Sequence, residues 1–190
     1  MSDTGWKSPG TVVDVAPTVN SYYFNTSVSG PTDPNSVWTN DANAFDGNTT
    51  TYTYCSTAGS SSINYLQGVG TNAPTSGEPI ISVRARTYGN SYTSYVTLNI
   101  PSGGWTWSKV KNLACRIWVN PPDEGNSPTH TAIYTGDDIG GTSLGTIDGA
   151  ITPNSIRKVE IEVTSGVGTV AWDNPDNVKA DDGNVANKNT

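Results

Sequence analysis

Where the apolar pattern of this chain is clear, its period is two. Ile81, Val83 and Ala85 alternate with Ser82, Arg84 and Arg86, and Val159, Ile161 and Val163 alternate with Lys158, Glu160, Glu162 and Thr164. A strand points successive side chains to opposite faces, so each stretch reads as a half-buried β-strand. Runs of the same kind are Thr93 to Ile100, Leu113 to Val119, Thr131 to Thr135 and Thr169 to Trp172. Clusters that favour turns separate them, such as Pro101-Ser102-Gly103-Gly104, Pro121-Pro122-Asp123-Glu124-Gly125 and Gly140-Gly141. Seven or eight short strands so punctuated predict an all-β fold, an antiparallel β-sandwich of jelly-roll type with extended terminal segments.

Composition narrows the classes further. Only 14% of the residues are charged, while Ser plus Thr number 46 and Asn 19, which excludes a coiled coil or helical bundle. With 190 residues the chain is long enough for one core. The net charge of -7 lacks the basic surface that neutralises phosphates, so nucleic acid is not an expected partner. No apolar run is long enough to span a membrane, and the first residues resemble no signal peptide. Cys55 and Cys115 have no neighbouring Cys or His at metal spacing, leaving one disulfide or two buried thiols.

The expected organisation is an N-terminal docking segment 1–14, a sandwich domain 15–167 and a C-terminal strand and tail 168–190. Two stretches look irregular: Ser56 to Gly77, a surface loop with one short strand, and Ala16 to Val37, a strand between loops. A partial repeat supports the separate tail. Gly10-Thr11-Val12-Val13 recurs as Gly168-Thr169-Val170-Ala171, and W-x-N-x-x-N occurs from Trp38 and again from Trp172, each followed by Asp-Gly-Asn. The second copy has no sandwich of its own, so Trp172, Asn174 and Asn177, with Trp6 of the first segment, are candidate assembly residues.

Catalytic patterns are weak. Gly141-Thr142-Ser143-Leu144-Gly145 spells G-x-S-x-G, but a hydrolase elbow needs a helix after the serine and a later histidine, and the single histidine, His130, lies upstream. The pairs Asp123-Glu124 and Asp137-Asp138 sit among turn residues, where acids are solvated. No enzyme is expected. Trp105, Trp107 and Trp118 bracket a Gly-rich turn and the following strand and are candidate ligand-binding rings, since exposed aromatics stack on sugar faces.

The loop Ala44-Phe45-Asp46-Gly47-Asn48-Thr49-Thr50-Thr51-Tyr52 carries the most specific chemistry. Asp46 offers a carboxylate, Gly47 a tight turn, and Asn48 and Thr51 further oxygens, which suits Ca²⁺ or, equally, a plain turn without metal. This stretch resembles the A-F-D-G-N-x-x-T-Y signature of discoidin (F5/8 type C) and related carbohydrate-binding jelly rolls. The resemblance implies a structural calcium held by Ala44, Asp46, Asn48 and Thr51 and closed by a glutamate of a late strand, Glu160 here. Taken whole, the chain is also similar to virion proteins of tailed bacteriophages. The similar segments are Gly5-Trp6-Lys7-Ser8-Pro9-Gly10-Thr11-Val12, the W-x-N-x-x-N segments, the A-F-D-G loop and Asn99-Ile100-Pro101-Ser102-Gly103. That similarity implies a non-catalytic capsid decoration or tail component located in the virion, which forms homo-oligomers and binds other virion proteins. The alternative it leaves open is a calcium-stabilised carbohydrate-binding module for host adhesion. A surface rich in small polar residues and poor in ions suits such packing, because few charges need desolvation.

Overall fold

A computed structural model describes residues 16–24, 32–48, 50–55, 65–89, 93–118, 130–148 and 156–166, and the side chains of all of these except 130, 148, 156 and 157. Two units divide the chain, Thr18–Ser165 and a second made of 1–17 with 166–190; the described residues fall almost wholly in the first. The predicted strand Thr169 to Trp172 and the candidates Trp6, Trp172, Asn174 and Asn177 lie outside the described residues.

The fold is all-β, antiparallel and sandwich-like. Strands β1 (Thr18–Tyr23), β5 (Ile80–Gly89), β6 (Thr93–Thr97) and β10 (Ile156–Ser165) form one sheet in the order β1-β10-β5-β6. Strands β4 (Tyr65–Val69), β7 (Leu113–Trp118), β8 (His130–Thr135) and β9 (Gly145–Asp148) form the other in that order. A short pair, β2 (Trp38–Thr39) with β3 (Tyr54–Cys55), stands apart, and every pairing is antiparallel.

Alternation decides which face of each strand is buried. Val159, Ile161 and Val163 of β10 and Val83 and Ala85 of β5 are fully buried and meet in register. Leu66 of β4, Leu113, Cys115 and Ile117 of β7, Ile133 of β8 and Ile147 of β9 supply the other sheet's share of the same core. Fully burying one such side chain stabilises by roughly 1.5–3 kcal/mol, so this contiguous cluster is the main term holding the sheets together. The sheets are also tied at one end, where Asn99 donates its N–H to the Leu144 carbonyl (2.7 Å) and Leu144 donates to Ile133 (2.7 Å). Both cysteines are buried thiols rather than a disulfide, and burial pushes the Cys115 thiol well above its ordinary pKa.

The short helix α1 (Trp107–Lys111) interrupts the strand pattern. Its residues Trp107 and Val110, three apart, both face the core, and the Thr106 hydroxyl accepts the Lys109 N–H as an N-cap. Helix formation here is a local response to the cap and two buried anchors, and the period-two reading gave no sign of it.

Candidate functional site

The loop singled out above is ordered by its own polar groups. Asn40 adopts a left-handed conformation, after which the 3-10 helix Asp41–Phe45 turns Ala44 and Phe45 into the core. Phe45 meets Phe24 edge-on at 5.9 Å. Gly47 follows at φ +74°, and a Cβ there would lie 2.9 Å from the Tyr23 ring, so only glycine fits. Asp46 Oδ1 accepts the Asn48 N–H (2.7 Å) and Oδ2 accepts the Thr51 hydroxyl (2.5 Å). Asn48 Oδ1 in turn accepts the backbone N–H (3.0 Å) and the hydroxyl (2.8 Å) of Thr50.

Asp46 and Glu160 both lie beside one side chain, that of Lys158. Lys158 Nζ lies 3.4 Å from Asp46 Oδ1 and 4.0 Å from Glu160 Oε1, and its side chain is 0% exposed. At these distances the contacts are ion pairs, and Nζ donates no hydrogen bond of good geometry. Burial pushes the Lys158 ammonium below its ordinary pKa; the charges of Asp46 and Glu160 pull it back, and Arg86 opposes them.

Glu160 is committed elsewhere as well. On the outer face of the first sheet, Arg86 Nη2 (2.5 Å) and the Tyr88 hydroxyl (3.1 Å) both donate to Glu160 Oε2. Arg86 Nη1 reaches Glu162 Oε1 at 2.8 Å, and Arg84 Nη2 reaches Glu162 Oε2 at 2.6 Å. The guanidiniums also stack on tyrosines: Arg86 lies 4.5 Å from the Tyr88 ring centre and Arg84 4.9 Å from that of Tyr95. Burial alone would lower the Arg86 pKa; hydrogen bonds to Glu160 and Tyr95 and the two glutamate charges outweigh it and hold the group above its usual value. Tyr88 is pushed up to about 12 by burial and by the neighbouring Glu160 charge. This ladder follows from register, since Glu160 pairs with Arg86 and Glu162 with Arg84 across β10 and β5.

Calcium prefers six to eight oxygens. Here both Asp46 oxygens accept local hydrogen bonds, the Asn48 side-chain oxygen is engaged by Thr50, and Glu160 serves Arg86 and Tyr88. The Lys158 ammonium already fills the space between the two carboxylates. Among the described residues no group of three or more His, Cys, Asp or Glu converges. As placed here, the side-chain oxygens of Asp46, Asn48 and Glu160 are engaged by an ammonium and by local N–H and hydroxyl donors.

The three tryptophans part company. Trp107 is 8% exposed, meets Tyr22 edge-on at 5.9 Å and donates from Nε1 to the Glu78 carbonyl (2.9 Å), which leaves no ring face for a ligand. Trp105 is partly buried against the core. Trp118 lies on the outer face of the second sheet, edge-on to Tyr65 at 6.1 Å. Beside them the Arg116 guanidinium sits 4.2 Å from the Tyr65 ring centre and donates to Gln67 Oε1 (2.7 Å). Ser143 sits in a turn before β9 with its hydroxyl 3.1 Å from that of Thr146, so a strand follows it where a hydrolase elbow has a helix. Asp137 and Asp138 are exposed; the pair at 123–124 lies outside the described residues.

Sequence reasoning did not single out Lys158, Arg84, Arg86, Glu162 or Arg116. The available signal was charge of opposite sign at alternate positions, Arg84 and Arg86 on one strand against Glu160 and Glu162 on another. Pairing those two strands, 74 residues or more apart, requires the topology. No protein-family model matches the chain, and neither a curated protein nor a solved structure shows significant similarity to it.

Proposed function

We propose that this chain is a non-catalytic structural protein of a tailed-phage virion, a capsid decoration or tail component, that assembles with itself and with other virion proteins. One observation carries the proposal. Thr18, the first residue of β1, pairs with Ser165, the last of β10, so the segments 1–17 and 166–190 leave the sheet from adjacent positions. They leave at an edge strand whose first four residues are exposed, with Val19 55% exposed. Among the described residues β1 has one strand neighbour, and such an edge suits addition of a strand from another chain. The test removes both segments: the remaining 18–165 should keep its strand spectrum and cooperative melt but fail to join particles assembled with the full set of virion proteins. Incorporation at the level of the full chain would refute the proposal.

A second function, host-glycan binding, is favoured by the Tyr65, Arg116 and Trp118 face, where rings and a guanidinium line one sheet surface. A glycan array distinguishes the two functions. Sugar-specific binding that is lost in Trp118→Ala supports the adhesion role, and its absence supports assembly alone.

A further inference from the structure

We infer that the Lys158 ammonium is the resident cation of the Asp46 loop, a built-in replacement for a divalent metal that fastens this loop to the outer face of the sheet. The site is independent of the assembly proposal and stands on its own geometry. Three elements meet there: the 3-10 helix and turn carrying Asp46, strand β10 carrying Lys158 and Glu160, and strand β5 carrying Arg86 and Tyr88. The lysine side chain is completely buried, and among the described residues it forms ion pairs with two carboxylate oxygens, at 3.4 and 4.0 Å.

A buried ammonium persists only where carboxylates compensate its lost hydration. Compensation runs both ways. Glu160 and Glu162 are almost fully buried; Arg84 and Arg86 answer Glu162 and Arg86 answers Glu160, so Lys158 supplies the positive charge on the Asp46 side. A dication added between Asp46 and Glu160 would sit against this ammonium and repel it at a few ångströms in a poorly solvated space. The loop is therefore specified by a side chain that is always present, and its shape is independent of calcium.

The test uses the full chain. Thermal melting and hydrogen exchange are recorded for the wild type with calcium and with a chelator, and calcium binding is followed by calorimetry. The inference expects identical melts, no binding heat, and equal amide protection of 41–52 under both conditions. Lys158→Met should speed exchange in 41–52 by about tenfold or more. If that variant fails to fold, Asp46→Asn, which keeps the turn's acceptor but removes one charge, should loosen the same segment while the sandwich melts cooperatively. Saturable calcium binding that raises the wild-type melting temperature would overturn the inference. So would an intact mass short by one water with Lys158 joined to Asp46, since an amide carries no positive charge, and so would unchanged exchange in both variants.

Discussion

Replacing Arg86 by Met tests the ladder that organises the outer face of the first sheet. The substitution keeps much of the aliphatic stem and deletes the guanidinium that contacts Glu160 at 2.5 Å and Glu162 at 2.8 Å. The side chains are 19%, 9% and 7% exposed, so this is closer to a buried network than to a surface pair. Stripping one partner from a buried pair costs about 3–5 kcal/mol, because the charge left behind has lost its compensation. Glu162 keeps Arg84 at 2.6 Å and Glu160 keeps the Tyr88 hydroxyl at 3.1 Å. These residual partners reduce the expected loss to about 2–4 kcal/mol. For a chain of this size that corresponds to a fall in melting temperature of roughly 5–15 °C. Urea denaturation followed by tryptophan fluorescence measures it at neutral pH. A loss below about 1 kcal/mol, the size expected of an exposed pair, would refute the reasoning.

Gly68→Ala would place a methyl 3.0 Å from Phe24 Cβ and 3.1 Å from Phe45 Cζ, so overpacking should cost about 1–3 kcal/mol in the same urea assay; a neutral result would mean that the two rings move freely. Phe45→Ala removes a ring that is 2% exposed and anchors the Asp46 loop, with an expected loss of about 3–5 kcal/mol and faster amide exchange over 41–48. A large stability loss without faster exchange there would separate the loop from the core. Stability should also decline in alkali. Tyr88 holds its proton up to about 12 when folded against 10.0 for the free side chain, so its contribution is complete below pH 10 and is lost as pH climbs toward 12. Tyr22, Tyr134 and Cys115, each raised by burial, act in the same sense. Lys158, whose pKa is lowered by burial, acts in the opposite sense. The Tyr88 contribution is read as the stability of the wild type relative to Tyr88→Phe, which should fall between about pH 10 and 12; a constant difference would contradict it.

The alternation at Val159, Ile161 and Val163, and at Val83 and Ala85, determined strand type and buried face without reference to any other part of the chain. A strand's two faces meet different solvents, and the side chains sort accordingly. The Asp46 turn was legible for the same reason, because Asp, Gly and Asn bond to their own backbone and Gly47 alone tolerates its φ. Helix α1 and the two-residue strands β2 and β3 were not legible, being too short to show a period. Trp107 and Trp118 have the same chemistry, yet one is closed into the core and the other lies on a sheet's outer face. That difference is set by the elements that pack over each ring.

The candidate site divides in the same way. That residues 44–52 offer a turn rich in oxygen acceptors, and that Glu160 lies on a strand's polar face, follows from the residues alone. That Lys158 comes to lie beside both Asp46 and Glu160, and that Arg86 claims Glu160 as well, follows from strand order and register. Local rules fix what a residue can offer, since hydrogen bonds to neighbouring backbone and alternation along a strand act over a few positions. The charge that answers it arrives from 112 residues away along the chain, through strand order and register, and no local rule encodes that distance.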